Sequence, residues 1–268
     1  MPEGHTIHRL ARDHQKYFAG APVEVSSPQG RFTADAGLVD GLTLRKAEAY
    51  GKHLLHRYGP DTVIHVHLGL YGKFETHTGE VTEPRGQVRM RMIGAEHWVD
   101  LRGATACELW TEDDVAALVA RLGPDPLRKD ADPELAWARL SRSKVTIGAL
   151  LMDQKLLAGV GNVYRAEVLF RHGIGPHRSG RDVDRAEWDA VWLDLVELMK
   201  VGVRRGRIVT IRPEHDHGDL PSRRGRAGGP RSYVYRRAGR PCRVCGTPVL
   251  TEEMVGRNLF WCPTCQPD

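Results

Sequence analysis

The sequence has few cysteines, few aromatic residues and no long apolar run. Five of its 268 residues are cysteine, and aromatic residues make up 7%. An odd and small cysteine count argues against a disulfide scaffold and favours a reducing compartment with a local metal site. No stretch approaches the roughly 18 consecutive apolar residues that cross a bilayer, so we expect no membrane span. The first residues lack a basic segment followed by an apolar one, so we expect no signal peptide and a cytoplasmic protein.

What is present is the composition of a globular protein, with 41% hydrophobic and 27% charged residues and a formal net charge of +5. The net positive charge comes from residues 200–268, which carry 14 basic and 6 acidic residues, whereas residues 1–199 carry a small negative excess. Nearly all of these basic residues are arginine, whose planar guanidinium donates two hydrogen bonds to phosphate. Charge alone leaves two interpretations open, a polyanionic partner and a solvated arginine-rich surface.

Hydrophobic periodicity divides the chain into a β-rich part and a helical part. A helix is predicted from Ile7 to Phe18, ending before Gly20. From about 22 to 108, short β-branched and aromatic runs alternate with Gly/Pro turns, which is typical of a β-sandwich or barrel. Further helices are predicted after Thr111 and after Asp132, and over Ile147–Asp153, Val163–His172 and Asp184–Val203. Residues 213–232, rich in Arg and Gly, are predicted to form a mobile loop.

The last part of the chain contains a cysteine pattern typical of zinc sites. Cys242 and Cys245 form one C-x2-C pair, Cys262 and Cys265 form another, and 16 residues separate the pairs. Two such pairs complete a tetrahedral Zn²⁺ site, and four thiolates leave no open position for catalysis. We expect one structural zinc holding a β-hairpin whose tip carries Arg257; the alternative is a redox dithiol pair. The fifth cysteine, Cys107, is expected to be buried as a small hydrophobe.

Pro2 and Glu3 at the N-terminus suggest a reactive amine. If Met1 is removed, Pro2 presents a secondary amine that is partly unprotonated at neutral pH and can form an iminium with an aldehyde carbon. Glu3 beside it could transfer protons. The alternative is that Pro2 merely begins the chain.

Two glycine-containing motifs are compatible with phosphate binding, although each is weak alone. Gly51-Lys52-His53 opens a predicted strand, where Lys52 could equally be an exposed strand-end lysine. In the run Gly159–Arg165, glycines precede a helix whose N-terminal N–H groups could bind an anion. Asn162 in that run could cap the helix or donate to phosphate. The run Gly159–Arg165 is not a dinucleotide-binding fingerprint, because it does not follow a predicted strand.

Two histidine pairs could contribute metal ligands. His65 and His67 alternate on one face of a predicted strand, and His215 and His217 lie in the predicted loop. No third ligand is evident for either pair, so a polar surface is the competing interpretation.

Together, the N-terminal Pro2-Glu3-Gly4, Gly51-Lys52, the Gly159–Tyr164 run and the paired cysteines with Arg257 resemble the Fpg/Nei DNA glycosylases. The motifs occur in that family's order over essentially the whole chain, and the sequence is most similar to the actinobacterial endonuclease VIII (Nei) branch.

The resemblance implies an α+β fold in three parts. These are an N-terminal β-sandwich with a leading helix over 1–110, a helical domain with a helix–two-turn–helix motif over 111–232, and a C-terminal zinc β-hairpin finger over 233–268.

The resemblance also implies roles for individual residues. Pro2 would be the nucleophile at C1′ of a damaged nucleotide, and Glu3 the general acid/base. Phosphate contacts would come from Lys52, Asn162 and Arg257, with Lys52 and Arg257 also counted among the catalytic residues. The turn Gly69-Leu70-Tyr71 falls where relatives fill the space left by an extruded base, and apolar wedges offset part of the unstacking cost.

The chain departs from the family pattern at two positions and in one loop. Thr6 stands where many relatives carry a second Glu, and Gly69 where Nei relatives often carry Gln. The 213–232 loop is short and rich in Arg and Gly, which argues weakly against a purine-specific lid.

We therefore expect a bifunctional DNA glycosylase/AP lyase of base excision repair that acts on oxidised pyrimidines. The alternative within the class is excision of oxidised purines or formamidopyrimidines. The alternative from another class is a catalytically silent zinc-finger DNA-binding protein. The expected partner is double-stranded DNA with damaged bases or abasic sites, bound by a monomer with no protein partner, at the nucleoid.

Overall fold

A computed structural model describes residues 2–215 and 232–267. The chain forms two compact units, residues 1–122 and 123–268. Within the described ranges, no helix combines the length and the apolar character that crossing a membrane requires.

The first unit contains two antiparallel four-stranded sheets. One has the strand order β1-β6-β7-β5 and the other β2-β3-β4-β8. The strands are β1 (Glu24–Ser26), β2 (Lys46–Tyr50), β3 (His53–Gly59), β4 (Thr62–His67), β5 (Lys73–Thr78), β6 (Met90–Ile93), β7 (His97–Arg102) and β8 (Ala106–Trp110). Side chains from both sheets enter one buried core, including Met92 and Val99 from the first and Leu54 and Ile64 from the second. The predicted β-sandwich is confirmed.

Three helices accompany these sheets: α1 (Gly4–Phe18), α2 (Thr33–Val39) and α3 (Glu112–Arg121). Ile7, Ala11 and Phe18 of α1 are buried in the core shared by the sheets, and α1 packs against β2 and β3. The N-cap of α1 is Glu3. Packing of the apolar face of α1 therefore fixes the N-terminal residues against the sandwich.

The described part of the second unit contains four α-helices and a two-stranded hairpin. The helices are α4 (Pro133–Leu140), α5 (Ile147–Leu150), α6 (Asn162–Arg171) and α7 (Arg185–Arg205), and the strands are β9 (Leu250–Met254) and β10 (Arg257–Trp261). Trp188 and Leu195 of α7 share a core with Tyr164 and Leu169 of α6. A second cluster joins Phe170 of α6 to the finger residues Cys242, Val249, Phe260 and Cys262, among others.

Several predicted boundaries agree with the structure because local signals set them. Thr111 caps α3 through a reciprocal bond pair with Asp114, Asp132 caps α4 ahead of Pro133, and Asp184 caps α7.

Other elements differ from the sequence prediction. Helix α2 lies inside the range predicted to be β-rich, because a helix of seven residues carries weak periodicity and is stabilised by its neighbours. The helix predicted over 147–153 ends at Leu150. The loop predicted over 213–232 falls mostly outside the described residues, apart from a 3-10 turn at Pro213–His215. The three-way division at 110 and 232 stays a prediction; in the structure α3 belongs to the first compact unit.

Candidate functional site

Pro2 lines a pocket of about 270 Å³ in the first unit. The other lining residues are Thr6, Leu10, Leu68, Gly72, Lys73 and Phe74. Pro2 is half-buried and Glu3 is fully buried. Because Glu3 is the N-cap of α1, it lies at the helix end where the macrodipole favours a negative charge. Pro2 therefore lies at a cavity, directly next to a buried carboxylate.

The turn at residues 69–71 borders the same pocket, since Leu68 and Gly72 on either side of it are lining residues. The turn is closed by a hydrogen bond from the Gly72 N–H to the Leu68 carbonyl at 3.0 Å. Leu70 is 41% exposed and Tyr71 is 86% exposed. Two apolar side chains therefore stand out from the rim of the Pro2 pocket, as insertion into a base stack would require.

Gly69 is a turn position at which a side chain would be strained. Its φ is +65°, and a Cβ there would lie 1.9 Å from Thr105 Oγ1. The absence of a polar side chain at the first wedge position therefore has a local steric cause.

Lys73 is a pocket residue that the sequence analysis missed. Its ammonium contacts Glu75 at 2.5 Å, and Glu75 also accepts a hydrogen bond from Arg102 at 2.8 Å. The available signal was its position directly after Gly72, at the end of the predicted wedge turn.

Lys52 lies at the tip of the β2–β3 hairpin. Tyr50 pairs with His53 across a two-residue turn, and Gly51 has a φ of +57°, as a turn with glycine first requires. The positive charge of Lys52 acts on two histidines of β3 and β4. The pKa of His53 is lowered to about 3, first by burial and then by its charged neighbours, Lys52 included. The pKa of His67 is lowered by burial and by Lys52.

His65 belongs to an aromatic stack, and the ring of His67 lies tilted against His53 with centroids 4.9 Å apart. His53 and His65 share a hydrogen bond of 2.9 Å, and His65 stacks on Trp110 with ring centroids 3.7 Å apart. In the described ranges, the four tail cysteines are the only group of three or more ligand-type residues close enough to hold a metal. The metal interpretation of His65 and His67 is therefore not supported.

The second predicted histidine pair is only partly described. His215 shares a hydrogen bond of 2.9 Å with the Tyr233 hydroxyl. His217 lies outside the described residues.

The four tail cysteines form a site that suits one zinc ion. Their sulfur atoms all lie within 4.8 Å of one another. Cys242 and Cys265 are 3.9 Å apart at sulfur, and Cys245 and Cys262 are 3.5 Å apart. Tetrahedral zinc with bonds of about 2.3 Å places its sulfur ligands about 3.8 Å apart. These separations also exceed the ~2 Å of a disulfide bond, so the cysteines are free thiols set for zinc.

Arg257 begins strand β10 at the tip of the finger hairpin. Met254 pairs with Arg257 across Val255 and Gly256, which have φ values of +48° and +68°. Two positive φ angles define the type I′ turn that suits the strand twist. The Arg257 side chain is exposed and donates a hydrogen bond to the Gly256 carbonyl at 2.9 Å.

Asn162 is the first residue of α6 and contacts the finger. Its side-chain amide donates to the Asn258 carbonyl at 3.0 Å, one residue from Arg257. The capping alternative for Asn162 is wrong, since the N-cap of α6 is Gly161. Arg165 is fully buried and donates to Asn162 Oδ1 and to the same Asn258 carbonyl. In the sequence, its only signal was its place in the run Gly159–Arg165.

The predicted site residues thus fall into two groups. Pro2, Glu3, Lys52 and the turn at 69–71 belong to the first unit. Asn162, Arg257 and the four cysteines belong to the second.

Three family models match the chain in succession. The N-terminal domain of formamidopyrimidine-DNA glycosylase matches residues 1–107, and the H2TH domain of the same enzyme matches residues 122–213. A zinc finger found in FPG and IleRS matches residues 239–267.

Similar whole proteins cover the same span. Endonuclease 8 1 of Mycobacterium tuberculosis is 60% identical over 273 residues, which cover 99% of this chain and 100% of that protein. The formamidopyrimidine-DNA glycosylase of Parasynechococcus marenigrum is 33% identical over 283 residues, with 99% of each covered. Among solved structures, wild-type Lactococcus lactis Fpg in complex with DNA containing N7-benzyl-Fapy-dG aligns over the full length of both chains. Its TM-score is 0.79 at 25% identity. This chain belongs to the Fpg/Nei family of DNA glycosylases.

Proposed function

We propose that the protein is a bifunctional DNA glycosylase/AP lyase that removes oxidised bases during base excision repair. The observation that carries the proposal is the pocket shared by Pro2 and the flanks of the Leu70-Tyr71 turn. A nucleophile for the sugar and apolar side chains for the vacated base stack then lie beside one cavity. Family membership and 60% identity to an endonuclease 8 support the same activity.

In this proposal Pro2 is the nucleophile. After removal of Met1, its secondary amine attacks C1′ of the extruded nucleotide, and the C1′–base bond breaks as the base leaves with a proton. The C1′–O4′ bond then breaks, O4′ takes a proton as the sugar ring opens, and an iminium forms between Pro2 and C1′. The positive nitrogen acidifies the 2′ hydrogens, so loss of a 2′ proton expels the 3′ phosphate and cuts the strand. A further elimination expels the 5′ phosphate. Glu3 transfers the protons that these steps require.

The remaining predicted residues are proposed to hold the DNA. Lys52, Asn162 and Arg257 bind phosphates around the lesion, where a charged or amide donor gains most from an anionic oxygen. Leu70 and Tyr71 fill the gap in the stack, with Gly69 as the glycine that the turn requires. Zinc keeps the hairpin tip, and with it Arg257, rigid.

For the substrate, we propose a preference for oxidised pyrimidines in double-stranded DNA. The similarity to a mycobacterial endonuclease 8 supports this preference. The 33% identity to a formamidopyrimidine-DNA glycosylase keeps oxidised purines as the second candidate. A panel of duplexes, each with one lesion, distinguishes the two. We propose a monomer acting in the cytoplasm, at the nucleoid.

Borohydride trapping on a duplex with one abasic site tests the central claim. We expect a covalent adduct with the untagged protein and none with a retained N-terminal extension, because the extension converts the Pro2 amine into an amide. Pro2→Gly should trap more weakly, because it replaces the secondary amine of Pro2 by a primary one. Pro28→Gly, at an exposed turn of the same unit, is the matched control and should trap normally. An untagged protein with a free Pro2 amine that binds the duplex without trapping would establish the silent DNA-binding alternative.

A further inference from the structure

Glu167 on α6 is a fully buried carboxylate that none of the roles above uses. Three consecutive backbone N–H groups donate to it, from Tyr233 at 2.6 Å and from Val234 and Tyr235 at 2.9 Å each. The Thr210 hydroxyl is a fourth donor. A carboxylate is costly to bury unless several hydrogen-bond donors replace its water. The four donors meet this requirement, so Glu167 holds the backbone of 233–235 and the Thr210 side chain against α6.

The donors come from the two described limbs that flank the 216–231 segment. Thr210 lies on the limb that leaves α7, and Tyr233–Tyr235 lie on the limb that leads to the finger. Arg171, one turn further along α6, binds the first limb a second time by donating to the Thr210 carbonyl at 2.6 Å. It is itself held by Asp194 of α7 through two hydrogen bonds of 2.6 and 2.8 Å.

Apolar contacts reinforce the hold on the second limb. The Tyr233 ring stacks on Phe170 of α6 with centroids 4.6 Å apart. The Tyr235 ring meets Phe260 of β10 edge-on at 5.4 Å. The backbone that Glu167 fixes therefore continues directly into the packing of the strand that begins at Arg257.

The finger is thus attached to one helix at two points. Asn162, at the start of α6, donates to the Asn258 carbonyl of β10, and Glu167 holds the entry to the finger. A rigid helix segment separates the two points, so their spacing sets the orientation of the hairpin relative to Asn162.

We propose that Glu167 is a positioning residue for DNA binding, which sets the finger on α6 so that Arg257, next to the Asn162–Asn258 contact, presents its guanidinium to DNA. This inference rests on the proposed function. It assigns to Glu167 no contact with DNA and no proton transfer.

A double-mutant cycle between Glu167→Gln and Arg257→Ala tests the proposal on the zinc-loaded full-length protein. Glutamine replaces one acceptor oxygen by an NH₂ group that would face N–H donors. We expect Glu167→Gln to raise the KM for lesion-containing DNA about tenfold while kcat at saturating DNA stays within about twofold. Arg257→Ala should raise KM by a similar factor alone and by far less in the Glu167→Gln background, because the arginine is already misplaced.

Two further variants make the result specific. Glu187→Gln removes a partly exposed carboxylate that accepts a hydrogen bond from the backbone N–H of Asp184, the N-cap of α7, and binds Arg178; it should lower the melting temperature and leave KM unchanged. Glu167→Asp keeps the charge but is one methylene shorter, and should give an intermediate KM. If Glu167→Gln fails to fold or loses zinc, the cycle is run with Glu167→Asp.

Additive effects of Glu167 and Arg257 substitutions, or an unchanged KM in the Glu167 variants, would overturn the proposal. The failure of the proposed function is a separate outcome. In that case the unmodified protein would form no covalent adduct in the borohydride experiment. If the protein does form the adduct but the effects of the Glu167 and Arg257 substitutions on KM are additive, only the role of Glu167 is rejected.

Discussion

At the residue scale, the turn beside the Pro2 pocket depends on two glycines that serve different purposes. Gly69 has a φ of +65° and faces Thr105, whereas a Cβ on Gly72 would lie 2.2 Å from the Leu68 carbonyl oxygen. Gly69 has a left-handed backbone conformation and lies against the Thr105 side chain. Gly72 allows its own backbone to approach the backbone of Leu68 closely. The apolar side chains between them owe their outward position to this geometry.

Gly69→Ala should destabilise the protein by about 2 kcal/mol, which combines the strain of a left-handed alanine with a steric clash. The measurement is the free energy of unfolding in denaturant. Gly79→Ala is the matched control, because Gly79 has a φ of +77° with no neighbour within 4 Å of the added Cβ. Equal losses in the two variants would contradict the clash with Thr105.

Among the secondary-structure elements, the finger hairpin is stabilised both by its local turn geometry and by contacts with residues distant in sequence. Its turn has the dihedral angles that two adjacent strands need, and four cysteines close its base. A segment of this size has little core of its own, so metal binding supplies much of its folding free energy. Phe260 and Cys262 add packing against α6.

Cys262→Ser should abolish stoichiometric zinc binding and weaken DNA binding, because three thiolates cannot complete the tetrahedral site and Arg257 loses its rigid support. Zinc is measured by elemental analysis and binding by fluorescence anisotropy. Cys107→Ser is the control, since Cys107 is buried in the sandwich core; it should cost stability and keep zinc. Retained DNA binding in a zinc-free Cys262→Ser protein would show that Arg257 does not depend on the metal.

At the scale of the whole molecule, the first unit contains several histidines that burial keeps neutral. His14 and His56 are fully buried, and their ring nitrogens share a hydrogen bond of 3.0 Å. Burial lowers the pKa of His14 to about 3 and the pKa of His56 well below its ordinary value. Near the N-terminus, burial likewise lowers the pKa of His5 to about 4. Unfolding therefore releases groups that take up protons near pH 6.5.

Acid should destabilise the first unit from about pH 6.5 downward. Between pH 6.5 and pH 3 the unfolded chain binds more protons than the folded one, so the free energy of unfolding falls as pH falls. His14 and His56 each contribute a slope of up to about 1.4 kcal/mol per pH unit. Thermal melts from pH 8 to pH 4 should show a constant melting temperature above pH 7 and a steep decline below pH 6.5. A flat profile down to pH 4 would contradict neutral buried histidines.

Much of the fold was accessible from the sequence because its signals are local. Helix caps at Thr111, Asp132 and Asp184 act within three residues, and the cysteine spacing specifies the finger from 24 residues of sequence. The bounds of strand β2 are set less locally, because most of its residues have little intrinsic β preference and its pairing with β3 decides its conformation.

Residue identity at short spacing was sufficient to recognise the family, the zinc ligands and the candidate nucleophile. Which residues lie close together became evident only in the folded chain. The fold places Pro2 beside the flanks of the 69–71 turn, more than 60 residues away, and it joins Glu167 to Thr210 and to the backbone of Tyr233. Such contacts depend on chain packing between distant segments, which periodicity and motif spacing do not encode.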